Sequence, residues 1–282
     1  MTAVGLALLS ALLFGGMSVA LRIALQREPD AAIATIATVV PAIAVAVVAA
    51  LAEAPARGLR LGDAWPFLLA GLLSPGAAQI LVTYAIRESG ASRVSMIFGT
   101  APLVSVTIAL AVLGEPARVP LIAGAVLIVA GGVELARERG RPEHLRRAGL
   151  VYAFAGATLF AIRDNLVRHL AVGRRPVPPA VAAAAALVGG GILVALWARR
   201  GFSRRWLPFV PAGLLFGGSY VSLFEAYYRG RVTVVAPLVA VESLVGVALA
   251  VSFLQDSERV GKRLLLGAGL IVAGGALIGA LR

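Results

Sequence analysis

An acidic side chain deep in an apolar stretch, far from any base, has chemistry to answer for. Glu242 sits near the middle of the run Val232 to Leu254, with no Lys, Arg or His within four positions on either side. A charge at the centre of a membrane span costs roughly 2.5–3.5 kcal/mol on insertion scales. Glu242 must therefore be protonated, hydrated by a cavity or bonded to another helix. As a working group it would take an ammonium or a coupling proton; as a structural one it would bond a neighbouring helix. Arg163, Asp164 and Asn165 form a second polar step inside an apolar run. Asp164 has Arg168 one helical turn on, a spacing that suits a local ion pair. Arg163 has no acid one turn away and so suits a solute carboxylate, or else snorkels toward the interface.

Milder polar groups recur at helical spacing. Gln79 and Thr83 are four residues apart with Tyr84 adjacent, and Pro75 can free a carbonyl one turn earlier. Ser219, Tyr220, Phe224 and Tyr227 make one mixed aromatic and polar face, suited to stacking on a neutral organic solute. Tyr227 and Tyr228 serve equally well as interfacial anchors, and Glu225 with Arg229 reads as a structural pair. Met17 and Ser18 fall close to the middle of the first run, Met17 reading more naturally as packing. Pro41, Pro102 and Pro237 lie within or near the start of apolar runs, where proline bends a helix and marks a candidate hinge.

The elements that must hold these residues follow from composition. Of 282 residues, 60% are hydrophobic and 14% charged, and the mean hydropathy is +0.92, more apolar than a soluble domain of this length can bury. A span needs about 20 apolar residues. Suitable runs fall at Ala3 to Leu25, Ala31 to Ala52, Ala64 to Ile86, Val94 to Leu113, Val119 to Leu135, Ala148 to Leu170, Pro178 to Ala198, Leu207 to Tyr228, Val232 to Leu254 and Lys262 to Leu281. No period-2 alternation supports a barrel, so backbone polar groups in lipid are satisfied by helices. The expected fold is an all-α integral membrane protein of ten transmembrane helices. Met1-Thr2-Ala3-Val4 lacks a basic n-region, so the first run is expected to remain as a helix.

The net charge of +12 comes from arginines that cluster between runs, as in Arg137, Arg139, Arg141, Arg146 and Arg147, or Arg199, Arg200, Arg204 and Arg205. That is the grammar of membrane topology, not of nucleic-acid binding. With no cysteine there is no disulfide, thiolate nucleophile or thiolate metal site.

The most specific signal is an internal repeat. Gly124-Ala125-Val126-Leu127-Ile128-Val129-Ala130-Gly131-Gly132 recurs as Gly267-Ala268-Gly269-Leu270-Ile271-Val272-Ala273-Gly274-Gly275. In the same order, Ala70-Gly71-Leu72-Leu73 matches Ala212-Gly213-Leu214-Leu215 and Arg93-Val94-Ser95 resembles Arg231-Val232-Thr233. Ala11, Leu13, Phe14 and Arg22 fall opposite Ala157, Leu159, Phe160 and Arg168. The chain thus divides into repeats at 1–140 and 141–282. Five helices per repeat place the second half upside down relative to the first, the frame in which inverted halves enclose a midplane site. The repeated glycines read as close helix packing.

This duplicated pattern, with Gly114-Glu115 after the fourth run and the Gly-Ala-x-Leu-Ile-Val-Ala-Gly-Gly run behind it, resembles the EamA family of the drug/metabolite transporter superfamily. In the second half the Gly-Glu element is replaced by Gln255-Asp256. The resemblance covers nearly the whole chain and implies a ten-helix inverted-repeat exporter of small metabolites, often amino acids. It further implies a central cavity lined mainly by helices one, three, four, six, eight and nine. The aromatic residues of the eighth run resemble those of YddG-type exporters of aromatic and other neutral amino acids. The family usually keeps both termini in the cytoplasm, whereas the basic loops around Arg137 to Arg147, Arg199 to Arg205 and Arg259 to Arg263 favour the opposite orientation; both remain open.

The leading reading is a secondary exporter of a small neutral or zwitterionic metabolite in a bacterial inner membrane, a monomer working by alternating access without cofactor or metal. The cavity candidates are Gln79, Thr83, Tyr84, Ser219, Tyr220, Phe224, Glu242, Arg163, Met17 and Ser18. A cationic drug or guanidinium exporter is the alternative, weakened because the interiors of the first and sixth runs hold Phe14 and Phe160 and, of acids, only Asp164. No Walker-type loop supports ATP coupling. An intramembrane enzyme is more remote: His144 and His169 lie in a loop and near a helix end, and no acidic cluster exists to hold Mg²⁺.

Overall fold

The computed structural model describes residues 2–115, 119–136, 147–172, 177–199, 204–253 and 262–279. Arg137, Arg139, Arg141, His144, Arg146, Arg200, Gln255, Asp256 and Arg259 lie outside these.

Helix forms over every apolar run, and no strand occurs among the described residues. The helices are α1 (Ala3–Arg27), α2 (Ala31–Arg57), α3 (Trp65–Ser89), α4 (Ala91–Phe98), α5 (Ala101–Ala111), α6 (Val119–Ala136), α7 (Arg147–Ala171), α8 (Pro179–Ala198), α9 (Val210–Arg229), α10 (Val232–Val239), α11 (Glu242–Phe253) and α12 (Lys262–Gly279). Seven helical segments among the described residues are long and apolar enough to cross a membrane. Large apolar side chains such as Leu12, Val48, Leu51, Val151 and Phe154 face outward, as a lipid solvent requires. Capping follows ordinary rules: Asp30 accepts from the Ala32 and Ile33 amides at 2.9 and 3.3 Å to start α2.

Three apolar runs that read as continuous in sequence are interrupted. In α3 the backbone leaves helical geometry at Ser74 (φ −148°, ψ 116°), just before Pro75, as the restriction on a residue preceding proline dictates. The fourth run is two helices, α4 and α5, with Pro102 in the first turn of the second. The ninth is α10 and α11, with Pro237 in the last turn of the first. Hydroxyls bind carbonyls at both breaks: Thr100 donates to the Ile97 oxygen and Ser243 to the Ala240 oxygen, each at 2.7 Å. Pro41, the third candidate hinge, lies inside an unbroken α2.

Packing between the two halves is reciprocal. A Cβ placed on Gly131 would lie 2.5 Å from the Gly267 carbonyl oxygen, and one on Gly274 would lie 2.5 Å from the Gly124 oxygen. These are equivalent positions of the repeated nonapeptide. Contact positions rise along α6 as they fall along α12, so the two helices are antiparallel. Gly71 of α3 sits on the Ala186 carbonyl of α8, and its repeat partner Gly213 of α9 sits on the Thr38 carbonyl of α2. The arginines match as well. Arg22 of α1 donates to the Ile86 and Arg87 carbonyls at the C-terminal end of α3 (3.3 and 3.2 Å), and Arg168 of α7 donates to the Tyr227 carbonyl at the end of α9 (2.9 Å). Each cation meets the negative end of a helix dipole.

α1 packs on α9 and α10–α11 as one group, α7 on α3 and α4–α5 as another, and the two groups meet along α4 with α11 and α5 with α10. Polar ties mark the two ends of the bundle. Arg205 holds Glu28 at one end, through paired bonds of 2.6 Å. At the other, Arg57 and Arg229 bind Glu225, and Glu53 accepts from the Ala180 amide at 3.0 Å.

Candidate functional site

Between the two groups lies a partly open cavity of about 40 Å³. That is room for a few water molecules and too little for an organic solute. Its wall comes from seven helices: Ser10 and Phe14 on α1, Phe98 on α4, Ala101, Pro102 and Ser105 on α5, Phe160, Arg163 and Asp164 on α7, Ser219, Tyr220 and Leu223 on α9. Ala236 and Val239 of α10 and Ala240 and Glu242 across the break complete it. The breaks in the fourth and ninth runs thus reach the cavity, where freed backbone groups have water or ligand to meet.

Arg163 is the electrostatic centre. Its Nη2 and Nε donate to Asp164 Oδ1 at 2.8 and 2.9 Å. Its guanidinium carbon lies 4.7 Å from the Tyr220 ring centroid and 5.0 Å from that of Phe160, cation–π geometry. Nη1 is buried without a hydrogen-bond partner. The expected Asp164–Arg168 pair does not form. Asp164 turns to the adjacent Arg163, whose long side chain folds back on it, because Arg168 is drawn to the Tyr227 carbonyl. Arg163, read from sequence as lacking an acid, therefore has one. Ser105 donates to Asp164 Oδ2 at 3.5 Å, and Asn165 anchors the step by donating to the Ser105 and Ala161 carbonyls at 3.0 Å.

Glu242 opens α11 and is only 5% exposed. Among the described residues its carboxyl has no hydrogen bond or ion pair. A carboxylate in the first turn of a helix gains from the dipole, but that alone does not offset its burial. Glu225, by contrast, pairs with Arg229 and with Arg57.

Phe14, Phe98 and Phe160 form a triangle with centroids 5.6–6.0 Å apart. Phe14 and Phe160 are repeat partners. Tyr220 stacks on Phe224 at 5.5 Å and shares a hydrogen bond with Ser74 at 3.1 Å, so the break in α3 reaches the site through that hydroxyl. Ser219 bonds the Ser10 hydroxyl at 2.9 Å and donates to its carbonyl at 3.1 Å.

Of the cavity candidates, Arg163, Ser219, Tyr220 and Glu242 line the wall, and Phe224 backs Tyr220. Pro102 lines it too, while Pro237 lies one turn from the lining residues Val239 and Ala240. Thr83 bonds its own helix at the Gln79 carbonyl, and Ser18 the Phe14 carbonyl. Met17 is packed in the core, and Gln79 is buried with both amide atoms unpartnered, outside the lining. Tyr84 packs against Tyr152 and Trp197 beneath Arg87, away from the cavity. Ser10, Phe98, Ser105 and Asp164 join the site without having been singled out for it. Only their helical register with Phe14, Pro102 and Arg163 carried a signal. Among the described residues no cluster of three or more His, Asp or Glu could hold a metal.

No curated protein sequence matches this chain. A solved crystal structure is similar with a TM-score of 0.75 and 21% identity, over 99% of this chain and 96% of that one; this likeness concerns the fold. The model of the EamA-like transporter family matches residues 1–134 and again residues 147–280, once in each half. A drug/metabolite transporter architecture accounts for a membrane-embedded bundle with polar groups lining a central cavity, and the chain belongs to the EamA-like transporter family.

Proposed function

We propose that this protein is a secondary transporter that exports small zwitterionic metabolites, amino acids first, by alternating access to the central cavity. One observation carries the reading: Arg163, whose Nη1 is buried without a hydrogen-bond partner, and Glu242, whose carboxyl pairs with nothing among the described residues, line the same aromatic-walled cavity. A zwitterion supplies a carboxylate for the first and an ammonium for the second, satisfying two buried groups that otherwise lack partners. The apolar part of the solute then meets Phe14, Phe98 and Phe160, which favours aromatic and other neutral side chains.

The frame is two inverted five-helix repeats, 1–140 and 141–282, giving ten spans in a bacterial inner membrane. The antiparallel, reciprocal crossing of α6 and α12, the matched arginine caps and the two interrupted regions at the cavity all support that frame. The 40 Å³ cavity is too small for the solute, so loading it requires the surrounding helices to part.

A second reading rests on the same walls. Three phenylalanines beside two acids also suit an organic cation, with Arg163 in the wall weighing against it. Counterflow in proteoliposomes against a panel of amino acids, polyamines and cationic dyes separates the two. Neutral amino acids are expected to exchange, and Glu242→Gln to express normally while exchanging slowly. Exchange of dyes but not amino acids would overturn the zwitterion reading, and unchanged exchange in Glu242→Gln would remove that residue from it.

A further inference from the structure

The Gly114-Glu115 element that follows the fourth run is not used by the cavity, yet the structure gives it a definite task. Gly114 adopts a left-handed backbone (φ 64°), and the chain turns there. Glu115 then places both carboxylate oxygens on the start of α10: Oε1 accepts from the Val232 amide at 3.1 Å and Oε2 from the Thr233 amide at 3.0 Å. A carboxylate bonded to the first amides of a helix is a charge-assisted cap. The helix it caps is eight residues long, ends in the cavity-lining Val239 and is separated from α11 by the break at Ala240 and Val241. It is a short strut, held at its outer end by a residue from the opposite helix group.

A second tie crosses between the groups at the same end of the bundle. Arg168 of α7 binds the Tyr227 carbonyl of α9, with Glu115 and Arg231 as its charged neighbours. At the opposite end Arg22 ties α1 to α3. There Gly246 of α11 also packs closely on the Ser95 side chain of α4, across the two groups. Polar ties thus cross between the groups at both ends of the bundle.

We propose that Glu115 is the latch that closes the cavity toward its own end of the bundle, and that withdrawing it from α10 lets this half-helix swing and admits solvent from that face alone. Arg22 belongs to the seal at the other face. The proposal rests on the alternating-access reading above and is independent of which solute is carried.

The chain contains no cysteine, so one introduced thiol reports without background. Ala236→Cys places it on α10 in the cavity wall. Membrane vesicles of known orientation are treated with a membrane-impermeant maleimide from one face or the other. In the Ala236→Cys background, Glu115→Ala should raise the labelling rate about tenfold from the Glu115 face and leave the other face unchanged. Glu115→Gln, which keeps the shape and loses the charge, should give a smaller rise from the same face and decides the matter if the alanine variant misfolds. Arg22→Ala should raise labelling from the opposite face. No rise in either Glu115 variant, or an equal rise from both faces, overturns the latch. Labelling needs no solute: a Glu115 effect without amino acid exchange would sink the substrate proposal and leave the latch standing.

Discussion

Arg163→Met is the perturbation that best separates what the buried arginine does for the fold from what it does for a solute. Arg163 is 3% exposed and holds Asp164 through two bonds of 2.8 and 2.9 Å. Removing it takes both of those bonds from the buried Asp164 carboxyl and leaves it the 3.5 Å contact to Ser105 and the neighbouring Tyr227, and breaking a buried pair from one side costs about 3–5 kcal/mol. For a chain of this size that is a fall in melting temperature on the order of 10 °C, readable by thermal unfolding in detergent. The companion Arg163→Met/Asp164→Asn removes both charges and should recover most of the loss, because a buried pair replaced as a unit is close to neutral. Transport should not recover with it. The free Nη1 edge is gone from the double variant, and losing a charge-assisted hydrogen bond worth about 1.5–3 kcal/mol should slow exchange of a carboxylate-bearing solute roughly ten- to hundredfold. Wild-type exchange by a stable double variant would show that Arg163 serves the fold alone. A single variant as stable as the wild type would refute the electrostatic account of the pair.

Three further outcomes follow from the packing and the surface charges. Gly71→Ala puts a methyl group 2.0 Å from the Ala186 carbonyl oxygen and should cost about 1–3 kcal/mol of stability as α3 and α8 are forced apart. Gly269→Ala meets nothing within 4 Å and should be neutral or gain up to about 1 kcal/mol, so equal melting temperatures for the two would contradict the packing. Tyr220→Phe keeps the ring over Arg163 and loses the bond to Ser74, an expected cost of about 1 kcal/mol with cation–π contact retained; a collapse of the fold would mean that the hydroxyl does more. The Arg205 guanidinium holds the Glu28 carboxyl below its usual range. The tie therefore contributes above the unfolded carboxylate's pKa and is lost as pH falls through the lower folded value. Glu28→Gln should flatten the acid side of the melting-temperature profile, and an identical acid limb would refute that contribution.

Much of the architecture was legible before any coordinate, for a solvent reason. Lipid offers no partner to a backbone amide, so long apolar runs could only be helices, and a repeated nonapeptide at corresponding places pointed to a duplicated chain. The family emerged from the same repeat, and its model matches each half in turn. Glu242 and Arg163 stood out because charge inside an apolar run is costly wherever the run ends up.

Partner choice was decided by the tertiary structure. One helical turn suggested that Asp164 would hold Arg168, yet the end of α9 brings the Tyr227 carbonyl within 2.9 Å of Arg168 and leaves Asp164 to its neighbour. Gln79 and Tyr84 shared spacing with Thr83 but not a destination: Tyr84 packs on Tyr152 and Trp197, while the wall is built by Ser10, Phe14, Phe98 and Ser105 from other helices. Prolines at 41, 102 and 237 read alike, and only the two beside the cavity accompany a broken helix. Sequence spacing ranks the neighbours within one helix and says nothing of what faces it across the bundle. What a run of residues must avoid was written along the chain; what several polar groups meet depended on helices more than a hundred residues away, as in the bonds from Ser10 to Ser219 and from Glu115 to Val232.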